Sequence, residues 1–505
     1  MKKTLFIKNA AILTVSSLIL RFAGIIFRVW LAAKIGAEGI GLYQLVFSVY
    51  MFAATFATSG VCTAVTRLVS EALVDDNKAK IKQILSKCIF ISCVIALVSI
   101  SVLYFGADFI ATQLLKDTRA SLSIKILAFS LPFMGICSCF KGYFIARRKA
   151  APTSSSQILE QVVRIAVIIP LVTQFNGFGL KYACAAVLLG DTLAEASSCL
   201  FIYLRYKYDF KRIKPKNDKQ LSEKSLLSAI THIALPITSS RYLNTLLRTT
   251  ENVLVPICLT ASTLGGNGIA LFGMIKGMAL PVLFFPSTLL SALSTLLLPE
   301  ITEASACKKR GVLQGIVSRI VKITLLVSII FSGIFMVCGK QIGILIYNSA
   351  DVGFLLAALS PIIPFMYLDA LCDGILKGLD QQKFTFFTSV GDSALRILLI
   401  LLLLNRFGIF GFIGIMYFSN FLTGILNTVR LLKVSRVKLN VGKTIILPTF
   451  CGFSLCLFTR ILLQGINSGL LYVLFLCMIC IPVYILILSA LRIIDYDDIS
   501  FIKRK

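Results

Sequence analysis

Arg21 and Arg28 stand inside SSLILRFAGIIFRVWL, a run that is otherwise apolar. An arginine at the centre of a bilayer costs about 2.5–3.5 kcal/mol on insertion scales. A chain keeps one there to line a water-filled cavity, to pair with an acid or to hold an anion. The seven-residue step between them is close to two helical turns, so both face the same way. The spacing recurs downstream at Arg241 and Arg248, which flank Asn244 and precede Glu251. Arg248 and Glu251 are also spaced for an internal ion pair. Lys276, in a later apolar run, has no acid three or four residues away, so it should face water, a distant acid or substrate. Two cationic stripes in two apolar halves suggest a transporter with a central anion-binding cavity.

The intramembrane acids form a second set. Asp191 and Glu195 are one helical turn apart, as are Asp369 and Asp373. Two carboxylates on one helix face could hold H⁺ or Na⁺, and Lys141 or Lys377 could satisfy one of them instead. Glu160 with Arg164 and Asp392 with Arg396 are spaced as i,i+4 pairs, which neutralise each other without a ligand.

Other chemistries are disfavoured. The Gly442-Lys443-Thr444 triplet lacks the glycine that a phosphate-binding loop would carry at Val437. His232 is the single histidine, which argues against a histidine-based zinc site or catalytic triad. The 15 cysteines are scattered through apolar runs with no CxxC pair, so they read as small apolar residues or free thiols. No catalytic residue, metal centre or cofactor is expected, and the reading is of a protein that is not an enzyme.

These residues must be positioned by membrane helices. Of 505 residues, 57% are hydrophobic, and the mean hydropathy is +0.89. That is the composition of a polytopic, all-α membrane protein. The expected spans are 9–33, 40–70, 88–106, 122–146, 154–174, 178–204, 226–258, 267–299, 313–338, 353–376, 384–405, 408–430, 443–464 and 468–491. Met1-Lys2-Lys3 resembles a signal-peptide start, but the first span reads as uncleaved. The net charge of +28 concentrates in alternate loops, including Lys78 to Lys87, Arg147 to Lys149, Lys207 to Lys224 and Lys308 to Arg310. That alternation is topology information, not a nucleic-acid surface, and it places both termini in the cytoplasm.

The two halves repeat. IGLYQLVF from Ile40 matches IALFGMIK from Ile269, and Leu42 and Glu71 align with Leu271 and Glu300 at an offset of 229. Further on, Gly142, Glu160 and Arg164 align with Gly374, Asp392 and Arg396 at an offset of 232. The expected organisation is a first lobe over 1–206, a basic linker over 207–225, a second lobe over 226–433 and two extra spans over 441–493. Six-helix lobes in one orientation imply a pseudo-two-fold axis along the membrane normal.

SSLILRFAGIIFRVWLAAKIGAEGIGLYQL (16–45) and ALPVLFFPSTLLSALSTLLLPEITEA (279–304) resemble the stage V sporulation protein B family. That family lies within the multidrug/oligosaccharidyl-lipid/polysaccharide (MOP) exporter superfamily, near the lipid II flippases of the MurJ type. The resemblance implies a 14-helix flippase in the bacterial cytoplasmic membrane. Its lobes would alternate between inward- and outward-open forms. It implies that Arg21 and Arg28 meet the pyrophosphate of a lipid-linked glycan, with Arg241, Arg248 or Lys276 serving the second lobe. The partners expected are that glycan, membrane lipids and an H⁺ or Na⁺ coupling ion. A cation-coupled multidrug exporter of the same superfamily is the alternative, kept open by Asp369 and Asp373.

Overall fold

A computed structural model describes residues 2–75, 77–212, 223–263, 266–437, 439–463 and 469–493. The core of the basic linker, Lys219 included, and the C-terminal basic run fall outside the described residues. The described chain is helical almost throughout. The main helices are α1 (Lys2–Val74), α2 (Lys78–Phe105), α3 (Leu131–Ala146), α4 (Ala150–Phe175) and α5 (Leu180–Lys211). They continue with α6 (Glu223–Thr260), α7 (Arg310–Tyr347), α8 (Ile363–Gly378), α9 (Gln382–Leu399), α10 (Asn405–Ser435), α11 (Leu447–Leu462) and α12 (Gly469–Ala490). A further 20-residue helix, Ser287–Ala306, precedes α7, and shorter helical pieces fill the other connections.

A 73-residue helix would be roughly 110 Å long at 1.5 Å per residue, several times the ~30 Å hydrocarbon layer. α1 therefore divides, and it does so at Gly36, whose φ of 70° and ψ of 179° only glycine adopts without strain. The helical stretch Gln382–Ser435 divides in the same way at Gly408 (φ 51°, ψ −130°). With these breaks, most of the expected spans fall on one helical rod or one bent pair, whereas 267–299 is divided among Gly268–Phe272, Gly273–Ala279, Leu280–Phe284 and Ser287–Ala306. Among the described residues, eight helices are by length and composition alone able to cross a membrane, or nine if the bent pair Ala120–Ala128 and Leu131–Ala146 is one span. The protein is an all-α, multi-pass membrane protein.

The repeat is written into the backbone. Lys116 and Asn348 are left-handed (φ 56° and 51°), and so are Arg148 and Asp380 (φ 54° and 60°), both pairs at an offset of 232. Gly179 (φ 101°) and Gly408 (φ 51°) pair at an offset of 229. Two buried cores follow the same rule. Ile81, Leu85, Phe140 and Phe144 in one occupy the positions of Leu313, Val317, Cys372 and Leu376 in the other.

The chain folds into two compact units. The first is Met1–Ala261 with Gly265–Gly273, and the second is Ser262–Leu264 with Met274–Lys505. Helix α6, assigned by the sequence to the second lobe, belongs to the first unit. The reason is a polar and aromatic seam against the second half of α1. The Tyr242 ring packs at a tilt against Phe52 and Phe56 (4.6 and 4.1 Å between centroids). Thr55 donates to Thr245 (3.3 Å), Thr249 to the Ser48 carbonyl (3.1 Å) and Asn252 to the Ser48 hydroxyl (2.9 Å). A repeat in sequence pairs residues by position along the chain, whereas a compact unit records which faces are buried together.

Within the first unit, the equivalent turns of the two repeats lie against each other. A Cβ on Gly41 would sit 2.0 Å from the Ile269 carbonyl oxygen, and one on Gly273 would sit 2.0 Å from the Ala37 carbonyl oxygen. Asn267 caps the downstream turn by accepting from the Ile269 and Ala270 amides. Arg119 clamps the upstream turn, donating to Glu38 (2.7 Å) while gripping buried Asp117 with Nε and Nη2 (3.0 and 2.7 Å). Arg119 holds the Glu38 carboxyl below the usual range, with a smaller contribution from Asn267, against a partial desolvation penalty. A depressed acid stabilises the fold above its unfolded pKa and loses that contribution as pH falls through the folded value. Glu38→Gln should therefore be less thermostable than wild type at pH 7. The gap should close as pH falls below about 4. A melting-temperature series over pH checks this, and a constant gap would refute the assignment.

Candidate functional site

Arg21 and Arg28 are both exposed on the first half of α1, while Phe27 and Leu31 beside Arg28 are buried. Arg28 stands within electrostatic range of the Tyr43 phenol. Arg241 and Arg248 are likewise exposed on α6. Each precedes by one residue a member of the seam to α1, Tyr242 or Thr249, and so lies about 100° around the helix from it. Arg28, Arg241 and Arg248 form no ion pair among the described residues. The Arg248–Glu251 pair allowed by spacing is not made: Arg248 is exposed and Glu251 is buried. All four arginines belong to the first compact unit, and Lys276 belongs to the second, on a π-helical turn Gly273–Ala279.

The acidic residues are organised differently. Arg164 on α4 bonds Glu160 one turn earlier (2.9 Å) and Gln161 (2.9 Å), and reaches across to Asp191 on α5 (2.7 Å). Tyr43 donates to the other Asp191 oxygen (3.3 Å). The charged neighbours of Glu195 are Glu160, Lys141, Arg164 and Asp191. In the second unit, Arg396 pairs with Asp392 (3.0 Å) and donates to the Ser419 hydroxyl (2.6 Å), which in turn donates to Asp392. Asp369 accepts from the Asn427 amide (2.7 Å), and Asp373 from Lys377 (2.6 Å). Asp373, Asp392 and Arg396 are the charged neighbours of Asp369.

Each unit thus builds three carboxylates and two cations around an equivalent Arg pair, but from different helices. In the first unit α5 supplies the extra acids, and in the second α8 does. The sequence disclosed the i,i+4 pairs. It did not disclose Tyr43, Ser419 or Asn427, polar residues in apolar spans whose partners lie on other helices, nor Gln161, which bonds Arg164 within α4.

Asp191 changes what the first pair tolerates. Removing Arg164 would strand a carboxylate whose side chain is 8% exposed. Breaking a buried pair costs about 3–5 kcal/mol. Arg164→Met should lose about that much stability in detergent, and adding Asp191→Asn should recover part of it. Exchanging the charges of Glu160 and Arg164 should fail, because a carboxylate would then face Asp191. The same exchange at Asp392 and Arg396 should be tolerated, because Ser419 can donate or accept. Equal outcomes at both sites would refute this reading.

The helix order, the repeat and the broken spans define the fold of the MATE and MurJ transporters of the MOP superfamily. A solved lipid II flippase MurJ in an inward closed conformation matches with a TM-score of 0.71 at 16% identity, over 96% of this chain and 99% of that one. An inward-facing multidrug resistance MATE transporter matches with a TM-score of 0.65 at 13% identity, over 84% of this chain and 100% of that one. The sequence pattern of the polysaccharide biosynthesis protein family matches residues 6–305, and the chain belongs to that family. Among characterised relatives, stage V sporulation protein B of Bacillus subtilis (strain 168) is 28% identical over 415 residues, 80% of this chain and 79% of that protein. Lipid II flippase MurJ of the same organism is 25% identical over 199 residues, 36% of this chain and 37% of that protein.

Proposed function

We propose that this protein is a flippase. It moves a polyprenyl-pyrophosphate-linked sugar, a peptidoglycan or polysaccharide precursor, across the bacterial cytoplasmic membrane by alternating access. The observation that carries the reading is the set of four exposed arginines on α1 and α6, three of them without an ion-pair partner among the described residues. An exposed guanidinium at membrane depth needs water or an anion, and its planar fork suits phosphate oxygens. The headgroup travels along this hydrated cationic face while the polyprenyl tail stays in lipid. The relative named as a lipid II flippase and the relative named for sporulation support a role in cell-wall or spore synthesis. The test is translocation of a fluorescent polyprenyl-pyrophosphate sugar by the purified protein in proteoliposomes. No translocation under any imposed ion gradient would overturn the proposal.

A second reading, a cation-coupled multidrug exporter, is favoured by the carboxylates Asp369 and Asp373 in the second unit and Asp191 and Glu195 in the first. In a flippase the same groups serve H⁺ or Na⁺ coupling. Export of a cationic dye that is lost on Asp369→Asn would favour the exporter.

The orientation follows from the basic loops. A reporter fused after Lys219 should be cytoplasmic, and one near Gly266 should be extracellular. Finding both on one side would overturn this orientation.

A further inference from the structure

Three helix ends of the second unit line an open cavity of 240 Å³ rich in basic residues. Lys308 follows the helix Ser287–Ala306, Arg310 opens α7, and Arg436 follows α10. All three line the cavity with Ser305 and Gln314, over an apolar wall of Leu313 and Val434. The shape is held by backbone. Lys308 and Arg436 are left-handed (φ 54° and 55°), and the Gln314 amide donates to the Arg436 carbonyl (3.1 Å). No acid lines the cavity, and none of the three cations forms an ion pair among the described residues.

The three cations are exposed and gathered around one hollow. Lys308 and Arg436 sit beside helix C-termini, where a cation is favoured. Arg310 does not: it is the first residue of a 38-residue helix with no acid in its first turn and no side-chain cap. A helix N-terminus repels a cation and attracts an anion. Three cations around one hollow, one of them at the wrong helix pole, call for a bound anion. The apolar wall and the position at helix ends beside the lipid call for one attached to a hydrocarbon chain. The volume falls below that of typical small-molecule pockets, about 300–1,000 Å³, so it suits a phosphodiester head group better than a nucleotide.

We propose that this cavity binds the phosphate of an anionic phospholipid of the cytoplasmic leaflet, as a lipid site separate from the transport route. The leaflet rests on the orientation proposed above. Binding itself does not require transport, so failure of the lipid test leaves the flippase reading untouched.

The test compares full-length protein in phosphatidylglycerol and in phosphatidylcholine nanodiscs, reading lipid retention by native mass spectrometry and melting temperature. Wild type should retain phosphatidylglycerol and melt higher in it. Inorganic phosphate should give no such shift, and an equal shift from phosphate would replace the lipid with a free anion. Arg310→Gln with Arg436→Gln should cut retention by about tenfold or more. Ser305→Glu supplies the anion internally. It should melt higher than wild type in phosphatidylcholine and lose the phosphatidylglycerol shift. Wild-type retention in the double glutamine variant, or a Ser305→Glu protein that is destabilised and still lipid-responsive, would overturn the proposal.

Discussion

Arg21→Ala is expected to abolish translocation of a lipid-linked sugar while the protein still reaches the membrane and elutes as a folded species. Arg21 is exposed on the first half of α1, so its loss opens no cavity in a packed core. On the proposed function, what it removes is a charge-assisted, two-pronged partner for phosphate, and such contacts contribute about 1.5–3 kcal/mol each. If that contact forms when the headgroup enters the hydrated face, its loss slows transport by tenfold to more than a hundredfold. Arg21→Lys should keep partial activity, because an ammonium retains the charge and loses the fork. Arg28→Ala should be milder, because Arg28 lies nearer the end of its span, where a long side chain reaches water easily. A folded Arg21→Ala protein that transports normally would remove the anionic cargo from this residue.

The second large effect concerns the paired turns. Gly41→Ala would bring its methyl to 2.0 Å from a backbone oxygen, a distance that only backbone movement relieves. Overpacking of this kind costs about 1–3 kcal/mol where the structure can yield. The turns 36–44 and 266–273 are the equivalent ends of the two repeats, and we propose that they part and rejoin as the protein changes its open side. Gly41→Ala should then bias the protein against the joined state. Transport should fall at least about tenfold, and amide exchange should rise in both turns together. Gly273→Ala should do the same from the other side. Unchanged exchange with unchanged transport in both variants would show that the contact is incidental.

Much of this architecture was legible in the sequence. Most of the expected apolar stretches map onto helical rods among the described residues, because backbone groups in hydrocarbon must satisfy each other within the segment, while 267–299 is split over several helical pieces. The offset of 232 that aligns Arg164 with Arg396 also aligns the left-handed residues Arg148 and Asp380. The side-chain networks were only half legible. Glu160 and Arg164 are one turn apart and declare themselves. That Arg164 also holds Asp191, 27 residues on, depends on which faces of α4 and α5 meet. Helix packing in a membrane relies on shape and small residues instead of a hydrophobic pattern, so the sequence carries little signal of it. The grouping of α6 with the first unit was hidden for the same reason: Tyr242, Thr245, Thr249 and Asn252 look like ordinary polar breaks until Ser48 and Phe52 are seen opposite.

Five left-handed residues terminate helices on the basic side: Arg148, Lys308, Asp380, Arg436 and Arg492. Four of them are arginine or lysine, although glycine would adopt the same backbone without the roughly 1 kcal/mol of steric cost an L side chain carries. The chain keeps a strained charge where a relaxed neutral residue would fit. Such charges steer a nascent hairpin into its correct orientation during membrane insertion, a demand separate from any that the folded state makes on them. Glycine at Arg492 should therefore yield a mature protein that is more robust to heat and a newly made chain whose last hairpin inserts upside down more often. Biogenesis and thermostability pull these positions in opposite directions.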